Sequence, residues 1–190
     1  MPGTTLQLLV LTATGDGCIG VDMASGALVR AAYPELEGAA IDLDVGCFDI
    51  VAAPIAPPVD DDLEPTLPEA VELAAVPTRV GRISRRKAER LLRPLIHPQS
   101  EHLLGIPGPT VPFWELRGNH PTVALVEPER PPAVVRRPSG AGLRCRFLWR
   151  GAGQELPLMA PPISPARRLL VALTPPVDGR CHKVVAGLLP

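Results

Sequence analysis

The densest group of side chains that could do chemistry is a run of seven basic residues within 15 positions. They are Arg79, Arg82, Arg85, Arg86, Lys87, Arg90 and Arg93. Cations at this density can bind the phosphates of a nucleic acid, and affinity then falls steeply with salt because bound counterions are released. Two other interpretations stay open. In one the run is a solvated face, and in the other it docks on acidic residues of the same or another molecule.

A second group of candidate contacts lies in a predicted strand over residues 143–150. Side chains alternate between the two faces of a strand. One face carries Arg144, Arg146, Leu148 and Arg150. The other carries Cys145, Phe147 and Trp149. The arginine face predicts either a phosphate track or an ordinary solvated face, and the aromatic rings either form core or stack on bases.

A third candidate is the adjacent pair Phe113 and Trp114, which lies next to Arg117. If this segment is a strand, one of the two rings must point outward. An exposed ring beside an arginine is the arrangement on which single-stranded nucleic acids stack. Trp114 and Arg117 therefore join the basic run and Arg144, Arg146 and Arg150 as predicted nucleic-acid-binding residues.

Charge is sorted along the chain. Residues 1–78 hold 13 of the 20 acids and a single base, whereas residues 79–190 hold 18 bases and seven acids. The net charges are −12 and +11, although the whole chain sums to −1. This asymmetry indicates a polyanion partner for the basic part, or two parts that bind each other. Of the 19 bases 17 are arginine, which suits phosphate recognition but also follows from a GC-rich genome.

Other chemistry is weakly indicated. The four cysteines form no Cys-x-x-Cys pair and are expected to be reduced packing residues. The four histidines are dispersed, and residues 138–142 lack the lysine of a phosphate-binding loop. Several acids allow a metal-dependent hydrolase as a less favoured alternative to turn formation: Asp16, Asp22, Asp42, Asp44 and Asp49. We predict no enzyme, no metal and no cofactor.

Short β-rich runs separated by turn signals dominate the chain. Strands are predicted over 6–14, 18–23, 27–33, 47–56, 111–117, 122–127, 143–150, 154–159, 167–174 and 182–189. One helix is predicted from an N-cap at Ser84 to Arg93, with Ala88, Leu91 and Leu92 on its apolar face. The pattern favours an all-β protein of two small barrels in tandem. A proline- and aspartate-rich linker over 59–77 divides it into domains 1–78 and 79–190.

Several motifs resemble those of the dual OB-containing domain family. The first half matches in Gly17-Cys18-Ile19-Gly20-Val21-Asp22, in Gly26-Ala27-Leu28-Val29-Arg30 and in Phe48-Asp49-Ile50-Val51. The second half is similar in residues 146–151, in 155–158 and in 169–189, although only 3% of the chain is aromatic. The resemblance implies tandem OB barrels with a nucleic-acid-related role and no enzymatic activity.

The sequence therefore predicts a non-catalytic protein with tandem OB-like barrels that binds single-stranded DNA or RNA. The alternative is a protein-interaction adaptor that uses its acidic and basic halves on separate partners, or in self-association. No segment reaches the 18 to 20 uninterrupted apolar residues of a membrane helix, and the first ten residues lack the basic start of a signal peptide. We therefore expect a cytoplasmic protein without a membrane partner.

Overall fold

A computed structural model describes residues 4–34, 45–57, 67–116, 120–136, 142–163 and 165–190. The chain forms two compact units, one within residues 1–63 and 69–95 and the other within residues 64–68 and 96–190. Half of the structure is strand and 11% is helical, with one short α-helix and a sheet that curls into half a barrel. The predicted all-β class is confirmed, and the tandem-barrel arrangement stays a prediction.

The first unit contains a six-stranded sheet and the helix. Its elements are β1 (Thr5–Ala13), β2 (Gly17–Asp22), β3 (Leu28–Ala32), β4 (Asp49–Pro54), β5 (Ala70–Glu72), β6 (Thr78–Arg82) and α1 (Arg85–Leu92). The strand order is β5-β3-β2-β1-β4-β6, antiparallel throughout except for the parallel pair β3 and β5. The edge strand β6 thus leads directly into the helix.

The division between the units differs from the one predicted at 78/79, because β6 pairs with β4 and belongs to the first unit. The predicted linker also contains β5, which pairs with β3. The first unit therefore carries 13 acids and eight bases, and the second carries seven acids and 11 bases. The net charges become −5 and +4, so much of the predicted charge separation lies inside one unit.

Two glycines allow β2 to lie between its neighbours. A Cβ at Gly17 would stand 2.5 Å from the carbonyl oxygen of Ala31, and one at Gly20 would stand 2.7 Å from that of Leu9. Real Cβ atoms do not approach oxygens so closely, so side chains at these positions would push the strands apart. The glycines of the Gly-Cys-Ile-Gly motif thus have a packing reason that the sequence does not reveal.

The second unit contains two sheets. Its strands are β7 (Thr110–Pro112), β8 (Val123–Val126), β9 (Ala133–Arg136), β10 (Leu143–Trp149), β11 (Ala152–Pro157), β12 (Arg168–Leu173) and β13 (Arg180–Leu189). The sheet orders are β11-β10-β9 and β7-β13-β12-β8. A parallel bridge between Leu158 and Val185 connects the chain after β11 to β13. The sequence patterns locate most of these strands but miss β9, as they miss β5 and β6.

The core of the second unit is built as strand parity predicts. Cys145, Phe147 and Trp149 are buried on one face of β10, and Arg146 on the other face is exposed. The Trp149 indole donates a hydrogen bond of 2.9 Å to the carbonyl oxygen of Glu101, and its ring stacks on His97. Phe147 and Trp149 are therefore core residues, and their rings are not accessible for base stacking.

The helix forms as its capping signal predicts. The Ser84 side chain accepts a hydrogen bond from the backbone amide of Lys87, which satisfies one of the free amides of the first turn. Ala88 and Leu92 are fully buried, so they anchor the helix. Leu91, predicted on the same apolar face, is 37% exposed instead, because it lies at the margin of the buried stripe.

A lysine is buried in the interior of the second unit. Lys183 on β13 is 4% exposed, and its Nζ donates a hydrogen bond to the backbone carbonyl oxygen of Ile106. Its neighbours on the same strand face, Cys181 and Val185, are fully buried core residues. Burial disfavours the charged ammonium and lowers the pKa of Lys183 from 10.5 to about 8.

The buried lysine predicts a specific pH dependence of stability. Between pH 8 and 10.5 the unfolded chain holds a proton that the native protein has lost, so the contribution of Lys183 to the free energy of unfolding rises with pH. We expect the free energy of unfolding of the wild type, minus that of Lys183→Met, to increase by roughly 1 kcal/mol per pH unit in this range. Urea unfolding from pH 7.5 to about 10 measures it.

The other lysine of the chain provides the control. Lys87 lies on the exposed face of α1, and Lys87→Met should change stability by an amount that does not vary over the same pH range. Parallel stability curves for the wild type and Lys183→Met would contradict the prediction.

Candidate nucleic-acid interface

The seven predicted cations at residues 79–93 lie on β6, on α1 and, for Arg93, in the 3₁₀ turn Arg93–Leu95 that follows α1, and we call them the basic surface. All seven are exposed. Three of them have an acidic partner among the described residues: Arg79 and Arg82 pair with Asp49, and Arg85 pairs with Glu89. The other four have no ion pair in the described part of the chain, and they are Arg86, Lys87, Arg90 and Arg93. The basic surface therefore keeps a strong positive charge inside a unit that is acidic overall.

One buried carboxylate positions the two arginines of β6. Asp49 is 2% exposed, and its Oδ1 lies 3.3 Å from Nη2 of Arg79 and 3.6 Å from Nε of Arg82. Its Oδ2 accepts a hydrogen bond of 2.8 Å from the backbone amide of Gly46. The arginines keep 45% and 61% of their side-chain surface exposed, so part of each guanidinium stays open to a ligand.

A β-bulge makes this arrangement possible. Residues three apart on a regular strand face opposite sides of the sheet, so Arg79 and Arg82 could not share one carboxylate. The register between β4 and β6 shifts at Val80, where Ile50 pairs with Gly81 and Val51 pairs with Arg79. The extra residue returns both arginines to the side of Asp49. Sequence spacing alone does not show the bulge.

The helix cations follow a simple pattern. Ala88 and Leu92 are buried, so the remaining helix positions face away from the core. The Arg85 Nε lies 3.3 Å from Oε1 of Glu89, four residues along the helix. An exposed pair of this kind contributes little to stability. The helix thus presents its unpaired cations on a rigid element that follows directly from the arginine pair of β6.

Two of the three arginines predicted as phosphate contacts in residues 143–150 are paired with an acid, unlike most of the basic surface. Glu155 on β11 binds two of them: its Oε1 lies 3.0 Å from Nε of Arg144, and its Oε2 lies 2.9 Å from Nη2 of Arg146. Arg150 lies in the two-residue turn between β10 and β11 with a φ of 54°, and has no ion pair in the described residues. The predicted phosphate track is thus partly neutralised by its own hairpin.

The predicted aromatic platform is exposed, although not on a strand. Residues Phe113–Glu115 form a 3₁₀ turn after β7, and Phe113 and Trp114 are 41% and 55% exposed. Their rings meet edge to face with centroids 5.3 Å apart. A turn lets both adjacent side chains reach solvent, whereas a strand would have sent one of them inward. Arg117, predicted beside them, lies outside the described residues.

Other acids considered as metal ligands have structural roles where the structure describes them. Asp22 accepts hydrogen bonds from the backbone amides of Ala24 and Ser25 and from the Ser25 hydroxyl. These bonds, led by that of the hydroxyl, lower the pKa of Asp22. Asp16 accepts a hydrogen bond from the Thr14 hydroxyl in the turn between β1 and β2. Asp42 and Asp44 lie outside the described residues.

Two functional candidates escaped the sequence prediction. The sequence pattern predicts Asp49 to be an exposed or turn-forming acid, although its position between Phe48 and Ile50 in an apolar run is a signal of burial. Arg180 begins β13, beside the aromatic pair: the backbone amide of Phe113 donates to the carbonyl oxygen of Gly179, the residue before it. No local pattern connects residues 113 and 180.

No family model, curated protein or solved structure matches the chain. The resemblance to the dual OB-containing domain family and the tandem-barrel arrangement therefore stay predictions. In the described residues, the helices are too short or too polar to cross a bilayer.

The ion pairs of Asp49 with Arg79 and Arg82 predict a measurable effect on stability. Asp49→Asn removes the charge that holds Arg79 and Arg82, and we expect the free energy of unfolding to fall by about 1–3 kcal/mol. Arg79→Gln and Arg82→Gln should each cost less, because one arginine still balances the carboxylate. Urea unfolding measures all three variants. Glu72→Gln, an exposed acid of β5, is the control and should stay within about 0.5 kcal/mol of the wild type.

A wild-type stability for Asp49→Asn would show that the carboxylate does not hold the edge strand.

Proposed function

We propose that this protein binds single-stranded nucleic acid and that the basic surface contacts the phosphates. The observation that carries the proposal is the exposed group Arg86, Lys87, Arg90 and Arg93, which has no acidic partner among the described residues. A solvated helix face normally mixes both signs of charge. Residues 86–93 hold these four cations and a single acid, Glu89, which pairs with Arg85.

The arginine pair on β6 supports the same proposal. The buried Asp49 carboxylate holds the guanidinium groups of Arg79 and Arg82. Little side-chain freedom therefore has to be lost when a phosphate binds to them. Arginine offers a planar fork of donors that matches phosphate oxygens, and six of the seven residues of the basic surface are arginine. Such phosphate contacts position a nucleic-acid strand and carry no base preference by themselves.

The exposed aromatic pair of the second unit, Phe113 and Trp114, favours a single-stranded over a double-stranded nucleic acid as the ligand. Stacking on Phe113 or Trp114 requires a base whose face is free, and a duplex does not offer one. Both rings are large enough to contribute to binding and are exposed in the described structure.

A second candidate is a protein-interaction adaptor. The opposite net charges of the two units favour it, as does the exposed apolar group Phe113, Trp114 and Val177. An acidic polypeptide would then occupy the basic surface. This candidate and the first make different predictions for oligonucleotides, so one titration series separates them.

We expect labelled single-stranded DNA and RNA to bind with an affinity that falls steeply between about 50 mM and about 200 mM salt. The double variant Arg86→Gln/Lys87→Gln should bind more weakly, and its log–log salt slope should be shallower by about 1 to 1.5 because two phosphate contacts are lost. Fluorescence anisotropy at a series of salt concentrations measures both quantities.

The matched control is Arg130→Gln/Arg136→Gln, which removes the same charge from exposed positions of the second unit. It should leave the salt slope unchanged. An equal loss in both double variants would indicate a response to net charge alone and would contradict a localised interface. Absence of binding at low salt, together with binding of polyglutamate, would favour the adaptor instead.

A further inference from the structure

A cleft of about 500 Å³ opens in the second unit next to the exposed aromatic pair. Its volume is that of a small-ligand site. Apolar side chains such as Ile106 and Leu116 line part of it, and four polar side chains complete the lining: Thr110, Glu115, His120 and Arg180. This combination of apolar surface and a few polar groups is typical of a site that binds a small molecule.

Two energetically costly features lie at one wall of the cleft or directly before it. Leu104 has a left-handed backbone with a φ of 56°, which strains a residue that has a Cβ, and Gly105 follows with a φ of 67°. The next residue, Ile106, accepts the hydrogen bond of the buried Lys183 ammonium. Strained and desolvated groups persist where the surrounding structure over-determines them, and they concentrate at functional sites.

The charged side chains of the cleft, Glu115 and Arg180, do not pair with each other, and Arg180 is held by a neighbouring hydroxyl. Nε and Nη2 of Arg180 both donate to Oγ1 of Thr110, at 3.1 and 2.9 Å, which positions the guanidinium and leaves N–H groups for a ligand. Glu115 is exposed, and neither it nor Arg180 forms an ion pair in the described residues. A fitting ligand carries both an anionic group and N–H donors.

The aromatic pair stands at the rim of this cleft. A Cβ placed on Gly179 would lie 3.4 Å from Cζ3 of Trp114, so the indole packs over the backbone immediately before Arg180. Glu115, which lines the cleft, directly follows Trp114. An exposed ring, a carboxylate and a guanidinium thus belong to one continuous surface of the second unit.

We propose that this cleft binds one nucleotide of the single strand and prefers guanine. The base stacks on Trp114, its N1–H and N2–H donors bind the Glu115 carboxylate, and its phosphate binds Arg180. Guanine presents two adjacent N–H donors that match the two oxygens of a carboxylate, whereas uracil presents one. The inference rests on the proposed function, because it takes the nucleotide to be part of a bound strand.

The test uses GMP, UMP and guanosine with the full chain. Trp114 and Trp149 are the two tryptophans, and Trp149 is 2% exposed, so quenching of the fluorescence by a ligand reports on Trp114. We expect GMP to quench the emission and to bind about tenfold more tightly than UMP, as a bidentate contact with one base allows. Guanosine should bind more weakly than GMP because it lacks the phosphate.

Three variants separate the contacts. Glu115→Gln should abolish most of the preference for GMP over UMP, whereas the control Glu101→Gln, another exposed acid of the second unit, should preserve it. Arg180→Gln should reduce the affinity for GMP to that for guanosine. Trp114→Phe should retain binding when measured by calorimetry, and Trp114→Ala should weaken it about tenfold. Thermal unfolding of each variant verifies that a loss of binding does not reflect a loss of fold.

The outcomes for the cleft and for the basic surface are distinguishable. If oligonucleotides bind and respond to Arg86→Gln/Lys87→Gln, but GMP and UMP bind equally or not at all, the cleft assignment is overturned and the proposed function stands. If GMP binds through Glu115 and Arg180 while no oligonucleotide binds at low salt, the proposed function fails, and with it the assignment of the nucleotide to a strand.

Discussion

A buried carboxylate balanced by two arginines from a neighbouring strand holds the basic surface in place. Asp49 lies on β4, and its partners Arg79 and Arg82 lie on β6, the edge strand. A carboxylate is costly to bury without such partners, so the pairing joins the edge strand to the sheet. Because β6 continues into α1, the same pairing sets where the helix cations stand.

This interaction also changes the meaning of the charge pattern. Along the sequence the chain reads as an acidic half and a basic half, which suggests two domains that attract each other. The structure assigns the basic run to the acidic unit, where part of its charge is balanced by Asp49 and Glu89 and part is left exposed. The physically relevant feature is therefore a local cationic surface on an acidic unit.

The second unit carries a different kind of site. Its arginines on β10 are balanced by Glu155, whereas Arg180 and Glu115 share a cleft without pairing. The wall of that cleft includes Ile106, whose carbonyl oxygen the buried lysine contacts, and the strained Leu104 lies two residues before it. The two units thus differ in what they expose: the first carries a cationic surface, and the second carries a cleft lined in part by Glu115 and Arg180.

The sequence by itself determined the features that depend on local spacing. Turn residues between short apolar runs predicted most strands, the N-cap Ser84 predicted the start of the helix, and the alternation of Arg146 with Phe147 and Trp149 predicted which face of β10 is buried. These predictions succeed because capping, strand parity and turn geometry depend on residues only a few positions apart. Tertiary structure alone decided the bulge at Val80, the burial of Asp49 and Lys183, and the meeting of Trp114 with the start of β13. Each of these depends on a contact between residues distant along the chain, for which a single sequence provides no local signal.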